Sequence, residues 1–193
     1  MNIINPKPIK IAMKIFPSAY IKISVIALLS FFISTTALAQ ERGNEEPRTS
    51  PNATVSQTVG TTDITITYGR PAVNDRTIFG DLVPYGEVWR TGANESTALV
   101  VSDDITIEGN ELEAGTYSLY TIPGKDEWTI IINSKLSWGT QYDKSKDVLR
   151  FTVEPREADF VERMLFYFED VTQESATVVL HWDATKVPFT INI

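Results

Sequence analysis

Three arginines (Arg70, Arg76, Arg90) and four carboxylates (Asp75, Asp81, Glu87, Glu95) fall within the single stretch from Tyr68 to Ser96. Arginine's planar fork grips a carboxylate or other oxyanion through two parallel hydrogen bonds. The pattern supports two readings: arginine–carboxylate pairs that brace the stretch from within, or an arginine left over to hold an anionic ligand. Asn94 and Glu95 follow Thr91-Gly92-Ala93, so they ride on a glycine-permitted turn just before an apolar run. Side chains so placed either cap the turn or contact a ligand at the rim of the domain. The loop aromatics Tyr85, Trp89, Trp138 and Tyr142 serve either as a stacking platform for sugar rings or as a plug for the end of the fold. The candidate ligand-binding residues are accordingly Arg76, Trp89, Arg90, Asn94 and Glu95.

Other chemistries have less to build with. His181 is the only histidine, and there is no cysteine. A Ser-His-Asp hydrolase needs that histidine as base, with Asp183 to orient it and a serine such as Ser96 in reach, yet no Gly-x-Ser-x-Gly elbow presents a serine. His181 reads instead as a partly exposed strand residue without a catalytic role. Catalytic zinc usually takes more than one His or Cys ligand, so no metal site is assigned. The acid pairs Asp103-Asp104 and Asp143 with Asp147 match no defined calcium loop. No catalytic residue and no cofactor is expected, although Glu87 and Glu95 remain the acid and base of an alternative, a carboxylate-dependent hydrolase acting on an envelope or nutrient substrate.

Strands must position these groups. Alternation of apolar and polar residues dominates and almost nothing has helical spacing: Asp63–Tyr68 alternates, and Thr97–Val101, Thr116–Ile122, Trp128–Asn133, Asp147–Glu154, Phe160–Phe168, Ala176–Trp182 and Val187–Ile193 read as further strands. Gly109-Asn110 closes a short hairpin between Ile105–Glu108 and Glu111-Leu112, and Thr172–Ser175 and Asp183–Lys186 read as the last turns. Glu157 to Met164 carries a weak helical-turn signal. About nine short strands in one domain predict an all-β, antiparallel β-sandwich of jelly-roll or immunoglobulin-like type. The stretch from Tyr68 to Ser96 has no regular period but carries Ile78, Phe79, Leu82, Val83, Tyr85, Val88 and Trp89, too many large apolar groups for disorder. It reads as a long structured loop, the kind that tends to be functional.

Residues 1–39 read as a secretory signal peptide. Lys7, Lys10, Lys14 and Lys22 precede an apolar run from Ile23 to Leu38 that ends in Ala37-Leu38-Ala39. The run is too short for a membrane-spanning helix, so no span is expected after cleavage. Its long basic lead leaves Met13 as a second possible start. Residues 40–52, polar and proline-bearing, form a flexible lead-in, and the domain occupies 53–193. Removing the leader's four lysines from 17 basic residues leaves 13 against 25 acidic ones, a charge of about −12. That balance excludes nucleic acid, which needs a basic patch to displace counterions. An exported chain without cysteine has no disulfide framework, so its stability rests on its core.

The phrases Ile78-Phe-Gly-Asp-Leu-Val-Pro-Tyr-Gly-Glu-Val-Trp-Arg-Thr-Gly-Ala-Asn-Glu95, Ala114-Gly-Thr-Tyr-Ser-Leu-Tyr120, Ile122-Pro123, Trp128 with Ile132-Asn133, Trp138-Gly139 and Asp147-Val-Leu-Arg150 stand together in this chain. In them it resembles the domain of unknown function 2911 family, found in exported proteins of Bacteroidota and relatives. The resemblance runs from about Asn52 to Ile193 and implies an exported β-rich domain. It implies no catalytic residues. Where that family tends to show Gly-Arg before its Ile-Phe-Gly, this chain has Asn74-Asp-Arg-Thr77, so Arg76 fits and the turn before it differs. The functional expectation is a non-catalytic binding or envelope-associated module, periplasmic or extracellular, with a glycan or small polar ligand as partner; oligomeric state is left open.

Overall fold

A computed structural model describes residues 42–43, 46–139 and 141–193. The expected leader lies outside the described residues. Ten strands follow in chain order: β1 (Asn52–Val59), β2 (Thr62–Gly69), β3 (Thr97–Val101), β4 (Ile105–Ile107), β5 (Asn110–Leu112), β6 (Gly115–Ile122), β7 (Trp128–Asn133), β8 (Asp147–Val153), β9 (Arg156–Glu169) and β10 (Ser175–Asn192). A 3-10 turn at Lys144–Lys146 is the only helical element among the described residues, capped by the Asp143 carboxylate, which accepts the Ser145 N–H. The chain is therefore all-β, with two antiparallel sheets. The larger has the order β1-β2-β3-β6-β7-β8, and the smaller β5-β4-β10-β9.

Alternation explains most of this. Ile64, Ile66 and Tyr68 of β2 are buried while Asp63 faces water. On the other face of the β1–β2 pair, Thr54 meets Thr67 and Ser56 meets Thr65 through hydroxyl hydrogen bonds of 3.1 and 2.7 Å, directly across the register. Such cross-strand pairs fix register, because a slip of one residue would turn the isoleucines outward. One apolar cluster draws on both sheets: Ile66, Leu99, Leu119 and Ile130 from the larger, Ile107, Phe166, Leu180 and Trp182 from the smaller. Burying each such side chain is worth about 1.5–3 kcal/mol.

Three local expectations are corrected. The β4–β5 turn is Glu108-Gly109, one residue earlier than read from sequence, with φ of +48° and +77°. A two-residue hairpin loop needs left-handed backbone at both positions, and Glu108 is held there by its carboxylate, which accepts the Thr190 N–H at 2.6 Å. Glu157–Met164 carries no helical turn; it belongs to β9, which pairs along β10. Asp183–Lys186 does not end a strand either. Because β9 continues opposite it, the irregularity is absorbed as bulges around Asp183 (φ +56°), and β10 runs through.

Candidate functional site

The stretch between β2 and β3 is tied to both sheets. Ala72 bridges Arg163 of β9, and Trp89 bridges Thr121 of β6 through reciprocal N–H···O bonds of 2.7 and 2.9 Å. Ile78, Val83, Val73 and Ala72 are buried beneath it. Phe79 meets Trp128 edge-on at 4.9 Å, and Trp89 stacks on Trp182 at 5.8 Å with the rings 19° apart. Trp89 thus rests half-buried on the core, as a plug would, with an aromatic surface behind it.

Close backbone approach shapes the end of the stretch. A Cβ on Gly69 would lie 2.1 Å from the Ala93 carbonyl oxygen, so only glycine fits there. Thr91 and Asn94, on either side of Gly92-Ala93, have φ of +55° and +66°. Left-handed backbone is unfavourable for a β-branched residue and persists where surroundings enforce it. Here the buried Thr91 hydroxyl reaches the Trp89 carbonyl (3.3 Å) and Thr121 (3.2 Å), and the Thr91 carbonyl accepts from Thr97 Oγ1 at 2.6 Å.

Glu95 is 1% exposed. Arg48 grips it with Nη1–Oε2 at 2.8 Å and Nη2–Oε1 at 3.0 Å, and Arg42 Nη1 stands 3.9 Å from Oε2. Arg42 also donates to the Ser96 carbonyl, although its Nε and Nη1 have no hydrogen-bond partner among the described residues. Burial alone would raise the Glu95 pKa, but the Arg48 fork and the charge of both arginines outweigh it and hold the carboxyl below its ordinary range. Glu95 is a fixed anion, poorly suited to donate a proton.

Of the two readings of the arginines, internal bracing by arginine–carboxylate pairs does not hold for Arg76 or Arg90 among the described residues. Arg76 turns its fork onto its own turn, Nε to the Val73 carbonyl at 2.9 Å and Nη2 to Ala72 at 2.7 Å. Asp75, Asp81 and Glu87 are exposed, where water solvates them better than an ordered arginine would. The one buried acid of the stretch is taken by arginines that precede β1. Arg90 consequently makes no side-chain hydrogen bond or ion pair among the described residues, and its buried Nε is unpartnered. Burial, with nothing to offset it, pushes its pKa below the usual arginine value.

Arg90 lines a cavity of about 350 Å³. Arg76, Trp89, Asn94 and Trp182 share its wall, as do Thr49 and Ser50, and no carboxylate lines it among the described residues. Glu162 accepts the Asn74 N–H at 3.0 Å nearby but is not part of the lining. Four of the five candidate residues therefore meet at one cavity; Glu95 lies behind it. Sequence reading missed Trp182, whose indole Nε1 has no partner among the described residues, and the Thr49-Ser50 wall. That wall is held by Arg48–Glu95, by Asn94 Nδ2 donating to the Ser50 carbonyl at 3.2 Å, and by Arg70 N–H donating to Pro51 at 2.8 Å. Only the alternating pattern around Trp182, which marks it as inward-facing, offered a signal.

His181 differs from expectation. It is 8% exposed, because its Nε2 pairs with the Asp159 carbonyl at 2.9 Å and Tyr167 packs beside it. Ser96 is engaged elsewhere, with Ser118 Oγ at 2.7 Å and the Ser137 carbonyl at 3.1 Å, so the two do not form a catalytic pair. Asp147 accepts from Tyr142, Asn133 and Arg150 at 2.7–2.8 Å, and Asp143 caps the 3-10 turn. No group of three or more potential metal ligands gathers among the described residues.

An all-β domain in two antiparallel sheets, with a cationic cavity beside the stretch before β3, is the class defined by this geometry. The family described as Protein of unknown function (DUF2911) matches residues 50–191, and the chain belongs to it. No curated protein and no solved structure matches.

Proposed function

We propose that the protein is an exported, non-catalytic binding module of β-sandwich type whose cavity takes a glycan or other small polar ligand. The observation that carries this reading is the convergence of Arg76, Trp89, Arg90 and Asn94 on one cavity of about 350 Å³. That volume falls in the range of small-molecule sites, about 300–1,000 Å³. An aromatic surface beside a few fixed polar groups is the composition that orients a polar ligand. Export rests on the basic leader, the apolar run and the Ala37-Leu38-Ala39 ending.

A thermal-shift screen of the domain against glycans, divalent metals and anionic metabolites tests the binding reading. A ligand of this cavity should lose its stabilising effect in Trp89→Ala and weaken in Asn94→Ala. Stabilisation that survives both substitutions would put the ligand elsewhere, and turnover abolished by Glu95→Gln would make the protein a carboxylate enzyme instead.

A further inference from the structure

Arg90 is a half-buried cation whose side chain has no partner among the described residues, in a chain whose formal charge is −8. Its guanidinium stands at a cavity whose described lining contains two arginines and no acid. Desolvating a charge without pairing it is costly, and an arginine fork aligned with an oxyanion recovers that cost through charge-assisted hydrogen bonds. Arg76 adds a second positive group whose position is fixed by the Val73 and Ala72 carbonyls, with Nη1 left uncommitted. Trp182, in the same wall, carries a further donor, Nε1, without a partner among the described residues, and Trp89 stacks against its ring. A neutral sugar would leave the Arg90 charge unanswered, whereas an oxyanion answers it.

From this arrangement we propose that the cavity selects a small molecule bearing an oxyanion, carboxylate or phosphate, gripped by Arg90 and steered by Arg76, with its body against Trp89. The inference rests on the binding reading above and narrows it to an anionic ligand. Arg90 is the specificity residue. Glu95 does not touch the ligand; it positions the Thr49-Ser50 wall through Arg48.

The experiment is a titration of isotopically labelled domain at constant ionic strength with glucuronate, glucose 6-phosphate and glucose. The Arg90 Nε–H resonance, assigned by its loss in Arg90→Gln, and the Trp182 indole N–H report the site. Glucuronate or glucose 6-phosphate should move both signals saturably, and whichever binds identifies the oxyanion as carboxylate or phosphate. Arg90→Gln should weaken that binding about tenfold or more, read from the indole signal, and Arg90→Lys should restore part of it. Glucose binding as tightly as the anions, with the indole signal moving and the Arg90 signal still, would overturn the oxyanion inference while leaving the binding module standing. No saturable shift with any of the three would overturn both. Arg90→Gln has no internal bond to lose, so its unchanged amide spectrum away from the cavity separates lost binding from lost folding.

Discussion

Two neighbouring charges at this end of the domain are treated in opposite ways. Glu95 is buried and answered twice, by the Arg48 fork and by the charge of Arg42. Arg90, five residues earlier, is half-buried and answered by nothing among the described residues. A fully compensated buried charge holds structure together, because removing either partner strands the other. An uncompensated one weakens the ligand-free fold by its desolvation and keeps its donors available to a ligand. The contrast separates the residues that build the cavity wall from the residue that faces into the cavity.

Breaking the compensated side should have the largest effect. Glu95→Ala leaves the buried Arg42 without its counter-charge and the Arg48 fork without its acceptor, and should lower the unfolding free energy more than any other substitution considered, read by urea denaturation. Gly69→Ala comes next. Its Cβ would fall 2.1 Å from the Ala93 carbonyl oxygen, so the turn that carries Asn94 and Glu95 must shift, at a cost of about 1–3 kcal/mol. Asn94→Ala removes the bond to Ser50 and should cost about 1 kcal/mol while loosening the Thr49-Ser50 segment, measurable as faster amide exchange there.

Acid should act on the same side of the comparison. Glu95 and Asp147 both have pKa values below their ordinary ones in the folded protein; for each, burial works against the shift, and hydrogen bonds and nearby positive charge prevail. A carboxyl with a depressed folded pKa contributes stability that is complete above its unfolded value, about 4.3 for Glu and 3.9 for Asp. The contribution is lost as pH falls through the folded values. Unfolding free energy should therefore drop below about pH 4, and the drop should be shallower in Glu95→Gln.

Strands were legible where a short apolar run stands between turn residues. Thr97–Val101 and Trp128–Asn133 match β3 and β7 residue for residue, and both are buried on almost every residue, as short continuous apolar runs are expected to be. Bulges were not legible: nothing in Asp183-Ala-Thr-Lys186 distinguishes a turn from a strand whose partner carries it onward. The long stretch before β3 could be singled out because large apolar residues without period must pack on something. Its pairing could not. Arg48 lies 47 residues from Glu95 in a polar segment without periodicity, so no local pattern ties them. The residues of the stretch left both an internal Arg90 pair and a leftover arginine open, and only the three-dimensional arrangement reveals that the buried acid is claimed from outside it.

The sharpest test sets the two charges side by side. Arg90→Met removes a desolvated cation with no partner and replaces it with a side chain that packs, so the ligand-free domain should gain about 0.5–1 kcal/mol. Glu95→Gln should lose stability in the same urea melts. Opposite signs are the predicted result. A loss in Arg90→Met comparable to that in Glu95→Gln would mean that Arg90 has a structural partner after all, and would contradict the assignment of Arg90 to a ligand.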